Sequence, residues 1–308
     1  MSPRALACPA SLKSVLTAPT AAGALAVGFE RVGVHCVRMP VADGGEGTVD
    51  VLCSHFEEVE TVDAFGRPRV ARAGVLGEAR VIEAAEAIPL DPSRLDVMAA
   101  SSRGLGLWIS QYRDRPLIIT VGGTATMDAG AGMLEVLDRL PGPTRVLCDV
   151  TTTLHDAPRL FGPQKGATPE QIAELEERFS GQLDPWADLS GSGAAGGLGA
   201  ALASLGAELV PGAELVLERT GFRERLDGAA LAVTGEGHVD RTTLEGKAPG
   251  AVARVCREQG VRCVVLGGRV LEEIPGAEAV ALSGDPARAV DDLREAGEAL
   301  ALALLGRA

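Results

Sequence analysis

Carboxylates and lysines of this chain gather in glycine-rich turns. Asp43-Gly44-Gly45-Glu46-Gly47-Thr48 is the first and Gly122-Gly123-Thr124-Ala125-Thr126-Met127-Asp128-Ala129-Gly130-Ala131-Gly132 the second. Gly191-Ser192-Gly193-Ala194-Ala195-Gly196-Gly197 is the third and Gly235-Glu236-Gly237-His238-Val239-Asp240 the fourth. Glycine lets the backbone turn sharply and approach a ligand, so that amides at a helix start can reach an anion. Asp and Glu in such turns suit a cation or a proton. Lys13 and Lys247 stand in loops of a chain that otherwise prefers arginine. A lysine beside Gly or Ser is a point charge suited to a phosphate, and equally a solvated surface residue. Asp149 follows the apolar run 145–148, a strand end that suits a metal or base carboxylate or a satisfied turn.

Several chemistries are excluded. There is no G-x-x-x-x-G-K-[ST], since Gly246-Lys247 is followed by Ala248, and neither the protein-kinase motif set nor a G-x-S-x-G elbow is present. Gly191, Gly193 and Gly196 match G-x-G-x-x-G, but residues 186–190 do not read as the strand that a dinucleotide site requires, so close packing of a Gly/Ala helix is the expected use. The six cysteines include no C-x-x-C and, with four histidines, no zinc spacing, which reads as free thiols in a reducing cytosol. Leu6-Ala7-Cys8 has the look of a lipoprotein site without a useful apolar stretch before it, and the uncharged run 189–207 is too rich in Gly, Ala and Ser for a membrane span. A cytoplasmic protein is expected.

The 308 residues carry 42 acidic against 29 basic side chains, a net −13 that argues against nucleic-acid binding while leaving small anions open to local donors. With 46% hydrophobic but only 3% aromatic residues, the core must be built from Ala, Val, Leu and Ile. Strand-like stretches at 4–8, 33–39 and 59–62 alternate with helix-like ones at 18–31 and 48–55, which predicts a parallel sheet with helices on its faces. The pattern returns late: strand 229–234, polar loop 235–247, helix 249–259 and strand 261–266. The two ends of the chain are therefore expected to share one doubly wound sheet, with the middle inserted into it. Thr168-Pro169-Glu170-Gln171 predicts a capped helix start, and Asp285-Pro286 opens a C-terminal helix expected to pack on the sheet.

Taken in order, the segments PVADGGEGT (40–48), GGTATMDAGAGML (122–134), FGPQKGAT (161–168), GAAGGLG (193–199) and TGEGHVDRTTLEGKAP (234–249) resemble the type-1 glycerate kinase family over most of the chain. The resemblance implies a flavodoxin-like α/β domain at 1–57 and 222–308, interrupted by an inserted α/β domain at 58–221, with the active site in the cleft between them. It implies ATP- and Mg²⁺-dependent phosphorylation of a hydroxyl of D-glycerate, usually the 2-hydroxyl. Carried over position by position, it implies catalytic roles for Lys13, Asp43 and Asp240. Gly122, Gly123, Thr124, Gly193, Gly196 and Lys247 would then contact the nucleotide, and Glu46, His238 and Thr243 the acceptor. Asp128, Asp149 and Glu236 would serve Mg²⁺. Monomer and homodimer both stay open.

The chain departs from the family where Ala10 replaces an acidic residue, Ser14 a glycine, Met127 and Thr152 asparagines, Arg103 a tyrosine and His238 an arginine. The middle is also short between Leu134 and Leu147. Two further readings therefore stand beside the kinase: a non-catalytic paralogue that holds nucleotide or hydroxy acid, and a dinucleotide oxidoreductase resting on 191–196.

Overall fold

The apolar runs become eleven strands among the described residues of the computed structural model, which are 3–12, 14–181, 183–244 and 246–307. Lys13 lies outside the described residues. In chain order the strands are β1 (Arg4–Ala7), β2 (His35–Arg38), β3 (Phe56–Val62), β4 (Pro68–Leu76), β5 (Ala79–Glu83), β6 (Leu117–Thr120), β7 (Thr144–Cys148), β8 (Glu208–Pro211), β9 (Leu231–Val239), β10 (Arg262–Val270) and β11 (Glu278–Ala281). Packing divides the chain into two units, Met1–Asp43 with Ala213–Ala308, and Gly44–Gly212. The sequence places those junctions later, after residues 57 and 221. No helix among the described residues is long and apolar enough to cross a membrane.

The first unit holds an all-parallel sheet in the order β11-β10-β9-β1-β2. Counted within the unit this is 2-1-3-4-5, the flavodoxin-like doubly wound order, made by strands from both ends of the chain. Central strands in such a sheet are covered on both faces and read as continuous apolar runs. Residues 5–7 of β1 and 231–234 of β9 are accordingly buried. Helix Ala18–Arg31 starts where the Thr17 hydroxyl accepts from the Thr20 amide, and it buries Ala18, Ala21, Ala22, Ala24, Leu25, Ala26, Gly28 and Phe29, a wide apolar face at helical spacing. The C-terminal helix Ala289–Leu304 shares this core but lies directly on that helix. A Cβ on Gly28 would stand 2.1 Å from the Arg294 carbonyl oxygen, and one on Gly297 would stand 2.4 Å from that of Leu25, so the contact is backbone to backbone.

The second unit holds a mixed sheet, β3-β4-β5-β6-β7-β8. Here the structure corrects the expectation for residues 59–62. β3 does not continue the N-terminal parallel sheet; it pairs antiparallel with β4, and β4 with β5, before β5 to β8 run parallel. The cause is local. Asp63 Oδ1 accepts from the amides of Phe65 at 2.9 Å and Arg67 at 3.0 Å, closing a turn too short for the crossover that a parallel partner needs. Helix Pro169–Phe179 begins at the expected capping box, with Thr168 Oγ1 accepting from the Gln171 amide and Gln171 Oε1 from the Thr168 amide. Its Leu175 and Phe179 enter a core around Trp108, Ile82 and Ile119.

Candidate active site

In an open parallel sheet, ligands bind beyond the carboxyl ends of the strands where the winding reverses. In the first unit that point lies between β1, whose chain proceeds to β2, and β9, whose chain proceeds to β10. β9 pairs with β1 only as far as Val233, yet continues beside β10 to Val239. Much of the fourth glycine-rich segment, expected as loop, is thus strand, and Glu236 stands on it past the last β1 pair. Glu236 Oε1 accepts from the Thr243 hydroxyl at 2.6 Å, and Oε2 lies 3.2 Å from Lys247 Nζ. The Thr243 oxygen in turn accepts from the Asp240 amide at 3.0 Å, and Lys247 Nζ is 3.8 Å from Asp240 Oδ1.

Local sequence sets this geometry. Asp240 Oδ1 accepts from the amide of Thr242 at 2.8 Å and from its hydroxyl, an Asx turn that opens helix Arg241–Leu244. Lys247 is the N-cap residue of helix Ala248–Gln259, with proline in the first turn. Burial pushes the Glu236 carboxyl up; Thr243 and Lys247 pull it back, and the negative charge of Asp43 pushes with burial. Asp240 is held below the usual range, chiefly by the Thr242 hydroxyl, with Lys247 and the Thr242 and Thr243 amides adding to it against partial desolvation. The first unit therefore gathers Asp43, Glu236, Asp240, Thr243 and Lys247 into one electrostatic cluster, with His238 exposed on the same strand.

The second unit assembles its glycine-rich turns at the carboxyl ends of β5, β6 and β7. A Cβ on Gly122 would fall 2.7 Å from the Cα of Gly45 and 3.0 Å from Asp149 Oδ2, so glycine permits the first turn, the second turn and Asp149 to meet. Glu46 is exposed beside Gly123. The Thr124 and Thr120 hydroxyls are buried without a hydrogen-bond partner. An unpartnered buried hydroxyl costs about 1–3 kcal/mol, and a phosphate oxygen at Gly122-Gly123-Thr124 would satisfy the Thr124 hydroxyl.

Two groups not singled out from the sequence hold this region. Glu83, buried at the end of β5, accepts from the amides of Gly47 at 2.8 Å and Val49 at 3.3 Å and so anchors the first turn. Burial pushes it up to about 7 against those two amides, with Glu86 and Glu46 pushing the same way. Lys165, only 4% exposed, donates from Nζ to the Thr126 carbonyl at 2.7 Å. Burial takes it down to about 7 although Asp128 and Asp149 pull upward. Rarity was the available signal, because the chain's three lysines are Lys13, Lys165 and Lys247.

Asp128 is not placed like a metal ligand. Its Oδ2 accepts from the Ser102 amide and hydroxyl, both at 2.8 Å, and from the Gly132 amide at 3.2 Å, while Oδ1 accepts from the Gly130 amide at 3.1 Å. These bonds tie the second turn to the loop before helix Arg103–Ile109. Among the described residues no group of three or more His, Cys, Asp or Glu side chains is arranged to hold a metal ion. A nucleotide-borne Mg²⁺ needs only one or two protein carboxylates, since phosphates and water complete its shell. Asp149, at the end of β7, fits that role by position. Gly193 and Gly196 serve close packing: Cβ atoms there would stand 2.2 Å from the Thr153 and 2.1 Å from the Thr126 carbonyl oxygens. The segment before them is helix Asp184–Ala187, not a strand, so the dinucleotide fingerprint lacks its context.

The sequence matches the family model "Glycerate kinase family" over residues 5–140 and 142–299. The chain belongs to the glycerate kinase family. It is 32% identical over 324 residues to glycerate 2-kinase of Escherichia coli K12, covering 86% of this chain and 85% of that one. It is 34% identical over 323 residues to glycerate kinase of Bacillus subtilis 168, with 85% and 84% covered. A crystal structure from Salmonella typhimurium LT2 assigned as glycerate kinase 2 superposes with a TM-score of 0.81 at 28% identity, covering 99% of both chains. As a member of the glycerate kinase family the chain is a kinase, a phosphoryl transferase. Its departures are unequal in consequence. Met127 is buried in the second unit's core, and Arg103 pairs at 3.0 Å with Glu135 on the surface. Ala10 is buried, its amide donating to the Gly235 carbonyl at 2.9 Å.

Proposed function

We propose that this chain transfers the γ-phosphoryl group of ATP to a hydroxyl of D-glycerate, giving 2-phosphoglycerate, as a cytoplasmic enzyme. The observation that carries the reading is the carboxylate–lysine cluster of Asp43, Glu236, Asp240 and Lys247 at the winding reversal of the first sheet. Phosphoryl transfer needs positioning, cationic donors and one carboxylate that orients and deprotonates the acceptor. The acceptor oxygen bonds to the γ-phosphorus, the bond to the β–γ bridging oxygen breaks to leave ADP, and the hydroxyl proton passes to Asp43. Asp240, held in its ionised form, is the weaker proton acceptor and keeps Lys247 and Thr243 in place. Glu236 fixes Lys247, and Thr243 and His238 border the acceptor. Lys13 is assigned to the same chemistry through the family pattern alone.

In the second unit, Gly122, Gly123 and Thr124 receive the triphosphate, with Glu46 alongside. Asp149 is the carboxylate that would hold Mg²⁺, which would supply charge neutralisation for the transferring phosphoryl group. The orphaned Thr124 hydroxyl supports the placement of the triphosphate at Gly122-Gly123-Thr124. The deciding measurement is ADP release with D-glycerate and Mg-ATP, with the product passed to enolase, which consumes 2-phosphoglycerate directly. Turnover that disappears in Asp43→Asn supports the reading. Absence of ADP above that variant across a panel of small hydroxy acids removes it in favour of a non-catalytic binding protein.

A further inference from the structure

We infer that Arg269, on the strand beside His238, is the residue that receives the carboxylate of the acceptor. The inference rests on the proposed glycerate kinase reading and deepens it to the recognition of one substrate group. The pairing of β9 with β10 places Gly267 opposite Glu236, Arg269 opposite His238 and Val270 opposite Val239. Arg269 therefore stands two residues beyond the Glu236 pair, toward the carboxyl ends of the strands where the cluster lies. The residue opposite Glu236 itself is a glycine, which has no side chain to intrude there.

Three observations turn this placement into a role. First, Arg269 and His238 are both exposed, and the Arg269 side chain has no hydrogen-bond or ion-pair partner among the described residues. Several other arginines of the same unit are paired with carboxylates, among them Arg223 with Glu258, Arg254 with Glu214, Arg262 with Glu278 and Arg288 with Glu295. Second, the local charge is unfavourable to an anion. Among the described residues, Lys247 is already shared between Glu236 at 3.2 Å and Asp240 at 3.8 Å, and the negative charge of Asp43 acts on Glu236 as well. A cation not held by these carboxylates is the one suited to the carboxylate of a hydroxy acid. Third, the residue types differ in what they supply. An imidazole points its two ring nitrogens along diverging axes and cannot grip both oxygens of a carboxylate. A guanidinium is always charged and offers two parallel N–H donors that match a carboxylate. The ligand class that follows is a small 2-hydroxy or 2,3-dihydroxy carboxylate, as against an uncharged polyol.

The test compares wild type with Arg269→Ala, Arg269→Lys and the double variant Arg269→Ala with His238→Arg, using D-glycerate, glycerol and ATP. Arg269→Ala is expected to raise KM for D-glycerate tenfold or more while KM for ATP and kcat stay within about twofold. Arg269→Lys should fall between, and His238→Arg should restore much of the loss, because the register sets its guanidinium beside the vacated position. An Arg269→Ala protein with wild-type melting temperature and a glycerate KM within twofold of wild type overturns the inference, as does equal loss toward ATP. If the wild type shows no turnover, the kinase reading fails, and Arg269 is then judged by calorimetric titration with D-glycerate. Binding that Arg269→Ala abolishes supports its role; binding that survives unchanged, or no binding to wild type, overturns it.

Discussion

Asp43 and Asp240 carry the same side chain in one cluster, yet their settings differ. The Thr242 amide and hydroxyl hold Asp240 in its ionised form, which weakens it as a proton acceptor. Asp43→Asn should therefore lower kcat by about 10²–10⁴, the usual range for loss of a general base. Asp240→Asn should act by loosening Lys247 and Thr243, with a smaller fall in kcat and a larger rise in KM. Steady-state kinetics on both variants separates the two, and an equal loss of kcat reverses the assignment. Most cluster members were legible in the sequence because carboxylates and lysines in glycine-rich turns are conspicuous. Glu83 and Arg269 were not, since each follows an apolar strand and looks like any strand-end charge until its pairing is known. Lys165 lies in the segment FGPQKGAT, and the rarity of lysine applies to it as much as to Lys13 and Lys247.

At the scale of elements, the second glycine-rich turn is held by side chains in addition to backbone bonds such as that from the Ala131 amide to the Asp128 carbonyl. Asp128 engages three amides and one hydroxyl, and Lys165 engages the Thr126 carbonyl. Asp128→Asn replaces an acceptor-only carboxylate by a group whose NH₂ must face donors. Hydrogen bonds to charged groups contribute about 1.5–3 kcal/mol each, so a loss of that size in unfolding free energy is expected from urea melts, with a raised KM for ATP and little change for glycerate. Unchanged stability would show that the turn is held some other way. The parallel sheet, the capped helix at Thr168 and the late strand–helix–strand unit could be read from periodicity and caps. The direction of β3 could not, because it depends on the turn that Asp63 closes. Nor could the extension of β9, because Gly235 and Gly237 read as loop unless the neighbouring β10 is seen to run beside them.

For the whole molecule, buried groups fix how stability follows pH. Glu83 holds its proton in the folded state from its ordinary 4.5 to about 7, while the unfolded chain releases it, so stability falls as pH rises through that window by on the order of 3 kcal/mol. Lys165 acts in the opposite sense. Its folded form loses the proton near 7 and the unfolded form only near 10.5, so the unfolded chain binds more protons and stability rises with pH above 7. The thiols of Cys8, Cys36, Cys53 and Cys148 are pushed above their ordinary 9.0 chiefly by burial, and that of Cys263 first by the neighbouring Cys256 and then by burial. Above about 9 the unfolded chain ionises these thiols while the folded chain keeps them protonated, at about 1.4 kcal/mol per pH unit each, which outweighs the single lysine. The urea midpoint in metal-free buffer should thus decline toward neutrality, recover between pH 7 and about 9, and decline again. Lys165→Met should abolish the recovery and Glu83→Gln should flatten the first decline, both read as differences from wild type so that surface groups cancel. A Lys165→Met profile parallel to wild type between pH 7 and 9 would mean that this ammonium keeps its proton in the folded protein, and that the Thr126 carbonyl with Asp128 and Asp149 outweighs its burial.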